Sequence, residues 1–203
     1  TETNRVVESR KVESFNEIYT GPKTSLVVSN FQNRSNYMQG LFSSDVDQLG
    51  NQAKTILKTH LQQTNRFKIV DRDSMKEIQT EAEIRGQSQN LKGARYSVSG
   101  SVSEFGRKTT GDKQLFGILG AGKTQTAYAK VSLTVVDVLT SEIIYTTQGA
   151  GEYALSEREV IGFGSNASYD ATLNGKVLNL AITEAVNEIV RAHKAGLLNV
   201  VKD

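Results

Sequence analysis

Between Ala127 and Val135 every odd-numbered side chain is apolar, while Tyr128, Lys130, Ser132 and Thr134 fill the even positions. A period of two sends alternate side chains to opposite faces of an extended strand and leaves no helical stripe. A second stretch, Ser165–Asn174, has Ala167, Tyr169, Ala171 and Leu173 on one face. Asn166, Ser168, Asp170, Thr172 and Asn174 occupy the other. Strands of about 9–11 residues with such faces cross outer membranes as β-barrels, apolar toward lipid and polar toward the lumen. A half-exposed sheet in a water-borne domain carries the same pattern.

Composition removes several alternatives. No run of about 18 apolar residues occurs, which excludes a membrane-crossing helix and leaves barrel strands untouched. A length of 203 residues favours one domain. With 17 Gly and 1 Pro, the chain suits long strands that must keep their backbone donors. Cysteine is absent, so disulfides, thiolate metal sites and Cys nucleophiles are excluded. Lys and Arg (24) nearly balance Asp and Glu (22), which gives no electrostatic case for nucleic acid. The sequence opens at Thr1 as either a processed or a trimmed end.

Residues 1–22 are polar and read as an extended arm ahead of a single domain over 23–203. Thr24–Phe31 reads as a buried strand, followed by a polar loop, Gln32–Phe42. Ser44 and Asp45 then offer an N-cap for a helix with Val46, Leu49, Ala53, Ile56, Leu57 and Leu61 at helical spacing. Phe67–Asp71 is a second strand, and Asp73 caps a second helix carrying Met75, Ile78 and Ala82. This strand–helix rhythm describes a compact α/β domain. From Ala94 the texture turns to β, with hairpin excursions at about 102–135 and 148–174 and a turn at Leu139–Glu142 leading into Ile143–Thr147. The chain closes on a helix striped by Leu178, Ala181, Ile182, Ala185, Ile189 and Ala192.

Gly117–Thr124 (GILGAGKT) matches the letters of a phosphate-binding loop. That loop works only after a buried strand and before a helix whose N-terminal amides cradle phosphate. Here Lys108–Gln114 is too polar for a central strand, and the residues after it alternate with period two. Only 13 residues separate Lys123 from Asp137, too few for a crossover helix and a returning strand. The segment therefore reads as a glycine-rich hairpin tip with Phe116, Ile118 and Leu119, and no nucleotide is expected. His60 and His193 are isolated and make neither a metal site nor a triad. Asp71 and Asp73 read as a strand end and a helix cap, and Glu157 and Glu159 as a solvated run. No catalytic residue, metal or cofactor is expected.

The chain resembles the curli secretion channel (CsgG-like) family over about Ser25–Gly196. The resemblance lies in Phe67–Arg85 (FKIVDRDSMKEIQTEAEIR), Tyr96–Gly106 (YSVSGSVSEFG) and Phe116–Ile144. It implies an outer-membrane lipoprotein, anchored through a cysteine that would precede Thr1 directly. A nonamer-like ring would take two hairpins from each subunit, and a periplasmic α/β domain would carry the constriction on the loop after the first strand. There Tyr37 and Phe42 match two of the family's three constriction residues, and Leu41 replaces an amide. From the residues alone, Phe42 is equally a hydrophobic staple onto the first helix.

The fold expected is thus an α/β (α+β) periplasmic domain with two β-hairpin excursions that contribute strands to an oligomeric transmembrane β-barrel. Its lipid-facing residues would be Ala127, Ala129, Val131, Leu133, Ala167, Tyr169, Ala171 and Leu173. The charges Glu157, Arg158 and Glu159 cannot face lipid at mid-depth, so they mark a hairpin tip or a periplasmic hairpin. The expected function is a homo-oligomeric pore exporting curli-like fibre or adhesin subunits, with accessory secretion factors as partners. The alternative is a soluble periplasmic lipoprotein domain of the same fold that binds or activates envelope machinery.

Overall fold

Two β-rich runs open the sheet: β1 (Thr24–Asn33) and β2 (Phe67–Val70) pair in parallel, with Thr24 opposite Phe67 and Val27 opposite Val70. Parallel neighbours need a crossover, and α1 (Gln48–Gln63) supplies it. After α2 (Met75–Ile84), β3 (Tyr96–Thr110) lies parallel on the other side of β1. The antiparallel strands β4 (Thr124–Asp137) and β5 (Ile143–Leu155) complete one five-stranded sheet in the order β2-β1-β3-β4-β5. The long helix α3 (Asn166–Lys194) closes the chain. The computed structural model describes residues 10–36, 47–110, 124–155 and 166–198, with backbone alone at 108–110, 124–125, 155 and 166–173.

Two of the described helices, α1 and α3, cover one face of the sheet. α1 lies over β1 and β2, α3 over β4 and β5, and the two helices pack side by side. Leu49, Ala53, Leu57 and Leu61 form the buried stripe of α1, and Val177, Leu178, Ala181, Ile182, Ala185, Val186, Ile189 and Val190 that of α3. A bulge between Val102 and Glu104 resets the alternation in β3, so Val102 and Phe105 both point into the core. The cap of α1 is Asp47 rather than Ser44 or Asp45. Its carboxylate accepts from the N–H groups of Gly50 and Asn33, both at 2.7 Å, which ties the end of β1 to the start of α1. Over the described residues the N-terminal arm is part of the core: Val12 and Ser14 are buried, and a 3-10 turn at Glu13–Asn16 lies against α3.

Two expectations about the barrel fail here. Ala127, Ala129, Val131 and Leu133 are strand residues on one face, as expected, yet each is at most 1% exposed inside the domain's own core. Lipid has no access to that face. The second correction concerns 166–174, which is the first part of α3 and not a strand. The positions Ala167, Tyr169, Ala171 and Leu173 satisfy a period of two but also the four-residue step of a helix. Extending a helix already formed over 175–194 adds residues without a new nucleus, so the helical reading wins. The lipid-facing strand expected from those four residues does not exist in this fold.

Candidate interaction surface

α2 has no buried residue at all. Its local structure is nonetheless well specified. Asp71 begins it: one carboxylate oxygen accepts from the N–H of Asp73 at 2.8 Å and of Ser74 at 3.4 Å. Asp73, expected as the cap, instead pairs with Lys54 (3.0 Å) and Lys58 on α1, and these ammonium groups hold its carboxyl below the usual range. Arg72 donates to the carbonyl of Lys92 at 2.7 Å and fixes the other flank. At the C-terminal end Gly86 adopts φ +67, Gly86 N–H bonds to Glu83 O and Gln87 N–H to Ala82 O. That pair of bonds is a Schellman ending, and a side chain at Gly86 would be strained there.

Met75 and Ile78 stand on one face of α2, with Ala82 seven residues on from Met75. Met75 is 36% and Ile78 44% exposed, so the apolar face expected in the core meets solvent instead. Ile84 on the far side and Leu91 beyond the helix are exposed as well. A ten-residue helix is below the length of about 12–15 at which isolated helices hold together in water. Its face therefore lacks the tertiary cover that usually stabilises such a helix, and this is the feature most suggestive of a binding surface. Sequence periodicity found the face. It could not reveal that nothing in the described fold covers it.

A smaller apolar cluster, Val138, Leu139 and Ile143, is exposed at the β4–β5 turn. Asp137 is committed to that turn. Its carboxylate accepts from the N–H of Leu139 (2.8 Å) and Thr140 (3.2 Å) and pairs with Arg95 at 3.2 Å.

The other singled-out residues separate. Tyr37, Leu41 and Phe42, the hairpin-tip residues Phe116, Ile118 and Leu119, and Glu157, Arg158 and Glu159 lie outside the described residues. So does the phosphate-loop look-alike up to Lys123, although the residues after it form β4, a strand antiparallel to β3. His60 and His193 are buried beneath the N-terminal arm. Among the described residues no three His, Asp or Glu side chains gather as metal ligands.

The family model for the curli production assembly/transport component CsgG matches residues 12–200. A lipoprotein of Neisseria meningitidis serogroup B is 59% identical over 196 residues, covering 97% of this chain and 88% of the relative. Among solved structures, a Xanthomonas campestris protein has a TM-score of 0.50 at 8% identity, covering 94% of this chain and 95% of that one, which speaks for the fold alone. A Chlamydia trachomatis protein has a TM-score of 0.48 at 14% identity, covering 88% of this chain and all (100%) of that one. The expected export pore is overturned. The strands reserved for the membrane close a helix-covered sheet, and the Neisseria relative is named as a lipoprotein rather than a channel.

Proposed function

Since the chain belongs to the CsgG family, we propose that it is a lipid-anchored domain of the bacterial envelope, on the periplasmic side, that acts by binding a protein partner through the exposed face of α2. The carrying observation is the absence of any buried residue in α2 beside a fully formed core. A folded sheet and two long helices supply rigid support, while the residues leading into α2 are tied down by the Asp73 pairs with Lys54 and Lys58 and by the Arg72 bond to the Lys92 carbonyl. A partner that covers Met75 and Ile78 would bury apolar area that now faces water, and so would stabilise both the contact and the helix. The lipid anchor rests on the name of the Neisseria relative. The family's association with curli assembly and transport fits a module that attends envelope machinery.

Site-specific photo-cross-linking in cells tests this. A photoreactive residue at position 78 should give a discrete heavier adduct, and one at Thr146, on the opposite edge strand, should not. Met75→Glu/Ile78→Glu should abolish the interaction while leaving the unfolding free energy of the purified domain within about 0.5 kcal/mol of wild type, because neither side chain is buried. Equal labelling at both positions, or none at 78, contradicts the proposal. An adduct with the mass of two chains assigns the surface to self-association.

A further inference from the structure

Residues 10–22 lie along α3 with few apolar anchors. Val12 is the buried apolar side chain of this arm, and Phe15 packs partly against the core. The rest of the hold is polar. Glu13 N–H donates to Asn187 Oδ1 at 3.0 Å, and the Asn179 amide donates to the carbonyl of Arg10 at 3.0 Å. Glu13 pairs with Arg191, and Glu17 with Arg66 and Lys194. Glu13, Glu17, Arg191 and Lys194 are all exposed, and ion pairs in water contribute little.

Closing the arm also leaves polar atoms without partners. Both ring nitrogens of His193 are buried and unbonded among the described residues, as are Ser14 Oγ on the arm, Thr24 Oγ1 at its junction with β1 and Arg66 Nε beside it. A neutral imidazole bears this at a cost, since one N–H and one lone pair lose water. A protonated ring would present two N–H donors and a full charge, with no acceptor for either. The surrounding elements supply none. Tyr19 of the arm lies edge-on with ring centroids 5.6 Å apart, and its hydroxyl donates to the carbonyl of Pro22 at 2.8 Å. Phe67 of β2 is edge-on at 5.5 Å, and Arg66 just before it adds a positive charge. The carboxylate of Glu17 is already divided between Arg66 at 2.7 Å and Lys194 at 2.9 Å. On α3 itself the neighbouring charges, Arg191 and Lys194, are both cationic. Burial, and then the Arg66 charge, accordingly lower the pKa of His193 from 6.5. His60, the other buried histidine beneath the arm, has Nε2 bonded to Asn179 Oδ1 at 2.6 Å, which leaves His193 as the ring with no partner at either nitrogen.

We propose that the arm is a strap released by acid: a proton on His193 lifts residues 10–22 off α3 while the sheet, α1 and α3 stay folded. Release gives both N–H groups of the ring and Arg66 Nε to water. It also bares the strip of α3 that carries Asn179 and Asn187. The strap does not involve α2, so it stands or falls independently of the binding surface proposed there.

Hydrogen exchange of the folded protein between about pH 8 and about pH 5.5 tests this. The reporters are the amides of Glu13, Phe15 and Glu17, bonded to Asn187 Oδ1, Val12 O and Ser14 O. With His193 at its ordinary 6.5 in the open arm and below that in the closed one, opening is independent of pH above 6.5. Below 6.5 it grows about tenfold per pH unit until the closed-state pKa is reached. Protection of the three amides, corrected for intrinsic exchange, should fall with that slope while β4 keeps its own. Glu17 does not contribute, because Lys194 and Arg66 hold its carboxyl below the usual range and it stays ionised throughout. In His193→Phe, which keeps an aromatic ring against Tyr19 and Phe67, arm protection should be flat over the same range. Lost β4 protection would reveal a variant that fails to fold. The wild-type protein then decides alone, since the His193 ring signal followed by NMR must titrate together with the loss of arm protection. Three results overturn the strap: steady arm protection while His193 titrates, arm and β4 protection lost together, or the wild-type slope persisting in folded His193→Phe.

Discussion

Gly149 shows how close the helix layer lies on the sheet. A Cβ added there would overlap the carbonyl oxygen of Ala181 and come within 2.6 Å of Ala185 N, while one at Gly151 would meet Leu180 Cβ at 2.6 Å. These glycines let the backbone of α3 rest directly on β5. Gly149→Ala should therefore lower unfolding stability by about 1–3 kcal/mol in urea titrations, whereas Ala150→Ser, on the exposed side of β5, should change little. Leu133→Ala should cost about 2–5 kcal/mol, and Thr134→Ala, one step along and only half-buried, within about 0.5 kcal/mol. Similar losses at 133 and 134 would contradict the inward orientation of β4. Alternation alone identified β4 and divided its faces correctly. It carried no information on whether the apolar face met lipid or a helix, because both remove it from water. The glycines that decide the matter look in sequence like ordinary strand or turn glycines.

Over residues 10–22 the N-terminal arm, polar enough to read as an extended arm, is tied to the domain. Glu17 pairs with Arg66 at 2.7 Å and Lys194 at 2.9 Å, Glu13 with Arg191 at 3.2 Å, and Arg66 stacks 4.5 Å from the Tyr19 ring centroid. His193 sits beneath, edge-on to Tyr19 and Phe67, with both ring nitrogens buried and unpartnered among the described residues. Burial, and then the nearby Arg66 charge, lower its pKa, and burial does the same to His60. A histidine whose folded pKa is depressed is neutral in both states above its ordinary value of 6.5. Below that value the unfolded chain binds the proton first, so stability falls as the pH drops toward the folded pKa. Urea midpoints should be flat from pH 8 to about 7 and decline below about 6.5, and His193→Phe should flatten part of the decline. A midpoint that rises on acidification to pH 5.5 would contradict the buried neutral histidines. The helices divide in the same instructive way. The stripes of α1 and the later part of α3 were legible because their period is unambiguous. The start of α3 was not, since Ala167, Tyr169, Ala171 and Leu173 satisfy both periods and only the helix already formed downstream selects between them.

On the scale of the molecule, one sheet with two helices on a single face leaves α2 outside the shared core, attached by polar contacts of the residues just before it. The family resemblance correctly indicated family membership and a mixed α/β domain, but the barrel-forming excursions and the pore expected with them did not survive the burial of β4 or the helix at 166–174. What separates a barrel subunit from a binding domain is the destination of a few apolar faces, and sequence patterning does not encode destinations. Hydrogen exchange tests this account most directly, comparing the protein in native envelope preparations with the purified domain. The account predicts fast exchange of the amides of residues 75–84 in the purified domain and marked protection of the same amides in envelopes, with β4 equally protected in both. Equal exchange of α2 in the two preparations, or protection of β4 only in envelopes, would contradict it.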